Sequence, residues 1–185
     1  MLNLFRSYQR LSSQVINLII GGLFIKLINA SFFLLFNLFL AKEGYPDYQI
    51  ANFVSFRFLG MLAIALPLGF YIKSRQLIPL FYLAGLAVPL STLFVLLGVA
   101  CELPTLIYSS LLIGGAALSS FDIATLPFIL RNETAKNHAS AIALNFSTFS
   151  ISIFITGLLN FLLPWVSEGL FTEGVLIGLF AGTGF

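Results

Sequence analysis

The stretch GGLFIKLINASFFLLFNLFL, Gly21 to Leu40, is almost wholly apolar and carries a lysine, Lys26, inside it. At 1.5 Å of rise per residue, a run of about 20 apolar residues crosses the hydrocarbon core of a bilayer as a helix. A charge near the centre of such a span costs at least about 2.5–3.5 kcal/mol. A chain that keeps one there has something to answer it. Upstream, MLNLFRSYQRLSSQ places Arg6 and Arg10 before the apolar run. The run from Gln14 to Leu40 is far longer than the roughly 7–15 residues of a signal-peptide core, so it reads as an uncleaved first span.

The rest of the composition agrees. Of 185 residues, 59% are hydrophobic, only 9% are charged, and 21 are phenylalanine. Soluble domains are about a quarter charged. The expected fold class is therefore all-α, a polytopic membrane helix bundle embedded in a lipid bilayer. A net charge of +2, scattered along the chain, excludes a nucleic-acid binder. The single cysteine, Cys101, excludes an internal disulfide and a multi-cysteine metal site, and reads as a small apolar filler beside a helix end.

Five stretches are long enough to span: 14–40, 48–72, 77–100, 105–130 and 139–163. A sixth apolar run, 173–185, is short, and the expectation is that the sequence breaks off within it as part of a longer chain. The connectors KEGYPD, KSRQ, CELP, RNETAKNH and PWVSEG are short and rich in helix breakers. Short links favour antiparallel neighbours, so the spans are expected to form an up-and-down bundle. Pro67, Pro79, Pro89 and Pro127 mark kinks or helix ends. The pairs Gly21–Gly22 and Gly114–Gly115 read as sites of close helix packing.

Alternate connectors divide the basic residues unequally. One side holds Arg6, Arg10, Lys73, Arg75, Arg131 and Lys136. The other holds Lys42 alone, with Glu43, Asp47, Glu102, Glu168 and Glu173. By the positive-inside rule the N-terminus is cytoplasmic, and the expected location is the cell (inner) membrane.

Three ionisable residues fall inside spans: Lys26, Arg57 and Asp122. Lys26 lies roughly 18 Å into the first helix and Arg57 roughly 14 Å into the second, both near the midplane. Asp122 lies closer to the cytoplasmic end of the fourth. At about 100° per residue, helix one aligns Gly22, Lys26, Asn29, Phe33 and Asn37. Helix two aligns Gln49, Phe53, Arg57, Gly60 and Tyr71; helix four aligns Tyr108, Gly115, Ser119, Asp122 and Thr125. Helix five carries Asn145, Thr148, Ser152 and Thr156. Helix three has only Ser91 and Thr92 at mid-span and reads as a lipid-facing support. Bland readings stand beside these. Hydroxyls in spans commonly bond their own carbonyls, and Asp122 suits a structural counter-ion for Lys26 or Arg57. Two cations against one anion leave a positive surplus, which a negatively charged solute group or a further carboxylate would neutralise.

This layout resembles the N-terminal half of a major facilitator superfamily transporter. PLGFYIKSRQLIP, Pro67 to Pro79, occupies the place of that family's loop motif between helices two and three. Gly69, Lys73 and Arg75 match its glycine and basic character; its aspartate and second glycine are absent. LPFILRNETAKNHASAIAL, Leu126 to Leu144, is similar to the connector between helices four and five. The glycine–proline motif of drug/proton antiporters is absent from helix five, where Gly157 has no following proline. The resemblance implies half of a twelve-helix fold, in which helices one, two, four and five surround a central cavity and a C-terminal half completes it. It also implies substrate sites near the midplane.

The function expected is secondary active transport of a small polar solute by alternating access, an anionic one where Lys26 and Arg57 hold it. Asn29, Asn37, Asn145 and Thr148 complete the substrate pathway, and Asp122 is the candidate for coupling a proton or another ion, or for gating. No enzyme motif is present: HExxH, GxSxG and a phosphate loop are all missing. His138, the only histidine, falls in a connector and reads as solvated. No cofactor and no metal are implied. The alternative is a multi-pass scaffold or sensor that transports nothing.

Overall fold

A computed structural model describes residues 11–73, 75–166 and 173–184. Arg6, Arg10, Ser74, Glu168 and Phe185, on which parts of the sequence reading rest, lie outside the described residues. Within them the chain is helical throughout: α1 (Ser13–Lys42), α2 (Asp47–Ile72), α3 (Ile78–Ala100), α4 (Pro104–Asn132), α5 (His138–Val166) and α6 (Glu173–Thr183). The first five are long and apolar enough to cross a membrane, so this is a multi-pass membrane protein.

The boundaries follow local chemistry. Ser12 caps α1, its Oγ accepting from the Val15 amide, while its own amide is taken by the Glu133 carboxylate across the bundle. Gly44, at φ +86°, ends α1 in a left-handed turn that returns amides to Ala41 and Leu40. Glu102 plays the same part after α3 at φ 54°, a conformation unfavourable for a side-chain-bearing residue. Pro79 and Pro104 sit in first turns, where the missing amide costs nothing. Pro67, Pro89 and Pro127 lie inside continuous helices.

The neighbours differ from a simple up-and-down arrangement. α1 barely touches α2, and α4 barely touches α5, although each pair is consecutive. The most extensive interface joins α2 to α4, and α1 packs mainly on α5. Both pairs run in the same direction. From end to end, Phe53 meets Tyr108, Gly60 meets Leu112, and Ile72 meets Arg131. Likewise Ser12 meets Glu133, Lys26 meets Asn145, and Leu34 meets Gly157. α3 and α4 are antiparallel, with Phe81 against Phe128, Ser91 against Gly114 and Gly98 against Ile107.

Glycine decides the α2–α4 contact. A Cβ on Gly60 would strike the Leu112 carbonyl, and one on Gly115 would strike the Arg57 carbonyl. Backbones approach that closely only where both side chains are absent, the usual device for helix association in lipid. Gly22 and Gly114 also abut a neighbour, Phe121 and Ser91 respectively, whereas Gly21 faces open space and packs against nothing. α3 packs behind α4 and α6, with Ser91 and Thr92 buried and bonded to the Val88 carbonyl. α2 and α5 are the most exposed spans.

Candidate functional site

Helix α1 is not a uniform α-helix. Phe32–Phe36 form a π-helical turn, in which the backbone bonds span one residue more than in an α-helix. The face expected from Gly22 to Asn37 runs through this turn. Lys26 and Asn29 are buried, and Gly22 packs on Phe121, while Phe33 and Asn37 are exposed. Phe32, the first residue of this turn, lies under the Arg57 guanidinium, 4.5 Å from its carbon to the ring centroid, with Phe33 at 5.9 Å.

Lys26 is held by α5. Its Nζ donates to the Asn145 carbonyl at 2.5 Å, to Asn145 Oδ1 at 2.7 Å and to Thr148 Oγ1 at 2.7 Å. An ammonium has three protons to donate, and all three meet neutral acceptors. Thr148 in turn donates to the Asn145 carbonyl at 2.6 Å. Arg57 is held differently. Its Nη2 donates to Asn29 Oδ1 at 2.6 Å, and most of its five N–H groups have no acceptor among the described residues. Among the described residues neither cation has a carboxylate within ion-pairing distance; the ion pair there is Lys42 with Glu173, at the far end of α1.

Asp122 stands near both cations, close enough for each to act on its charge, yet in contact with neither. It is exposed to a cavity of about 440 Å³ whose wall also includes Lys26, Asn29, Asn145, Phe146 and Phe149. A second groove of about 170 Å³ lies between α1 and α2 and is lined by Arg57, Asn37 and aromatic rings. A larger groove of about 500 Å³, near Gln14, Phe24 and Tyr82, has no charged side chain in its wall and offers no comparable chemistry.

Every ionisable residue placed inside a span thus comes to one region, together with Asn29, Asn145 and Thr148. Asn37 reaches the Arg57 groove. Other stripe residues do not join. Thr125 and Ser152 are buried and bonded to carbonyls within their own helices. Thr156 is buried without a hydrogen-bond partner among the described residues. Tyr71 is exposed beneath Arg75, whose guanidinium carbon lies 5.5 Å from its ring centroid.

The loop-motif residues are separate from this region. Gly69 and Lys73 are exposed, and Arg75 contributes its carbonyl rather than its charge to a bond with Arg131. Arg131 caps the end of α2, donating Nη2 to Ile72 O at 2.7 Å and Nη1 to Arg75 O at 2.9 Å. His138 is half-buried, not solvated, with Nε2 3.0 Å from the Glu133 carbonyl. Cys101 is exposed at the end of α3 and fills no gap. The sequence reading missed the rings on Arg57 and the Arg131 cap. Adjacent phenylalanines at Phe32–Phe33 were the available signal for the first.

Comparison of the chain with protein-family models, with curated proteins and with solved structures finds no match.

Proposed function

We propose that this protein is a secondary transporter of the major facilitator type, carrying a small polar, negatively charged solute across the inner membrane by alternating access. The observation that carries the reading is the state of Arg57. A guanidinium cannot shed its proton, and this one lies mid-span with no carboxylate within ion-pairing distance and with donors unused among the described residues. Intramembrane charges of this kind line wet pathways by default. An anionic solute supplies the missing acceptor; Asn37 offers an amide donor on the groove that Arg57 lines, while Asn29 and Asn145 line the neighbouring cavity with Lys26 and Asp122.

Lys26 has a different part from Arg57 in this scheme. With its donors engaged by α5, it sets the local field and holds two helices together, and Asp122 offsets its charge. Asp122 is the coupling or gating group, since it is the carboxylate that faces the cavity. The N-terminus is cytoplasmic, following the basic connectors, and the family resemblance supplies the expectation of a C-terminal half closing the cavity.

The test is uptake of an anion panel by proteoliposomes containing the wild type, Lys26→Gln, Arg57→Gln and the double variant. Loss of uptake in Arg57→Gln is expected. Undiminished transport by the double variant would sink the anion reading, and absence of any solute flux in the wild type would favour a scaffold.

A further inference from the structure

The geometry points to a substrate class: the groove beside Arg57 takes a small monocarboxylate with a flat apolar body. This rests on the transport reading above. Charge comes first. Lys26, Arg57 and Asp122 sum to one positive charge, and Asp122 lies by Lys26 in the neighbouring cavity. One negative charge neutralises the region; two would reverse it.

Shape narrows the choice. The guanidinium carbon lies 4.5 Å from the Phe32 ring centroid, and the N–H donors of a guanidinium radiate in its own plane. A carboxylate meets such an edge through two parallel N–H···O bonds, a match that favours a planar oxyanion over a point-like one. Asn37, exposed on the same groove, is the further polar group there. The remaining wall is apolar: Phe33, Phe36, Val54, Phe58 and Met61. A hydroxylated or dianionic solute would leave polar groups unpaired against these side chains, a loss of the kind that rejects ligands strongly. A flat ring or short branched chain would pack on them. Pockets for drug-sized ligands begin at about 300 Å³, so about 170 Å³ suits a body of one ring.

Benzoate is the probe. Purified protein in detergent is titrated with radiolabelled benzoate, with unlabelled benzamide, succinate, phosphate and glycine as competitors; benzoate and the same competitors are then assayed for uptake in proteoliposomes. The expected result is saturable benzoate binding, with benzamide at least about tenfold weaker because it lacks the charge, and with no competition from succinate, phosphate or glycine. Arg57→Lys is expected to weaken benzoate at least about tenfold, since an ammonium cannot replace the fork. Met61→Trp fills the groove and is expected to block binding while leaving Arg57 in place. Asn37→Ala, at an exposed position, keeps the fold and is expected to weaken binding by a smaller factor.

Benzoate binding unchanged in Arg57→Lys and Met61→Trp would overturn the assignment of the groove. Transport of succinate, phosphate or glycine without benzoate binding would overturn the substrate class and leave the transport reading standing. If no solute binds or crosses, both fall together.

Discussion

The Lys26 ammonium and the side-chain oxygen of Asn145 lie 2.7 Å apart, joining α1 to α5 inside an apolar span. A lone charge there would be expelled or would carry water with it. Here the side chain is buried, and its ammonium donates three times to one helix. Lys26, expected on the substrate pathway, ties two helices together.

That tie makes a stability prediction. Asn145→Leu removes one acceptor from a buried ammonium, and hydrogen bonds to charged groups contribute about 1.5–3 kcal/mol. Unfolding measured in detergent is expected to fall by about that amount. Adding Lys26→Met to Asn145→Leu should restore part of the loss, because the uncompensated donor is gone. Lys42→Met, at the exposed end of α1, should cost under about 1 kcal/mol. If Lys26→Met and Asn145→Leu are simply additive, the two residues do not act on one another.

The α2–α4 crossing is open to an equally direct check. Gly60→Ala and Gly115→Ala each put a methyl group onto a neighbouring carbonyl, and a backbone cannot swing aside as a side chain can. Overpacking of this kind costs about 1–3 kcal/mol. Gly21→Ala and Gly69→Ala, with nothing within 4 Å of the added carbon, are expected to leave thermal stability unchanged or slightly raised. Equal effects at all four positions would mean that the helices do not approach there.

These contrasts show what a sequence of this kind discloses. The spans were legible because hydropathy over about 20 residues is a strong, local signal. Helix partners were not. Short connectors say that consecutive helices are near, yet Gly60 with Gly115, and Lys26 with Asn145, draw together helices two and four apart in order. Both pairs are long-range, and nothing along the chain announces which glycine meets which. The convergence of Lys26, Arg57 and Asp122 was legible because lipid forbids their scattering. The π turn at Phe32–Phe36 leaves no mark in a 100° wheel.

At the C-terminal end of α2, Arg131 takes the Ile72 carbonyl, which the helix itself leaves open, and the Arg75 carbonyl in the connector beyond it. Arg131→Leu withdraws two charge-assisted bonds, and exchange of backbone amides near Ile72 is expected to rise about tenfold or more, the equivalent of about 1.4 kcal/mol. Arg131→Lys should fall between, since one ammonium reaches both carbonyls poorly. Hydrogen–deuterium exchange across residues 68–77 measures this. Unaltered exchange in Arg131→Leu would show that α2 ends without help from α4.

Asp122 carries the most consequential expectation for transport. A coupling carboxylate must gain and lose a proton in each cycle, whereas a structural counter-charge need only stay ionised. Asp122→Asn preserves shape and hydrogen-bonding atoms while removing both the charge and the titration. With the membrane potential clamped at zero and a proton gradient imposed, the wild type should accumulate solute above equilibrium. The variant should still exchange labelled for unlabelled solute, but its accumulation ratio should fall to unity, because the solute's own gradient is then the sole driving force. An Asp122→Asn protein that still accumulates solute, while unfolding more readily than wild type, would assign the carboxylate to offsetting Lys26 instead.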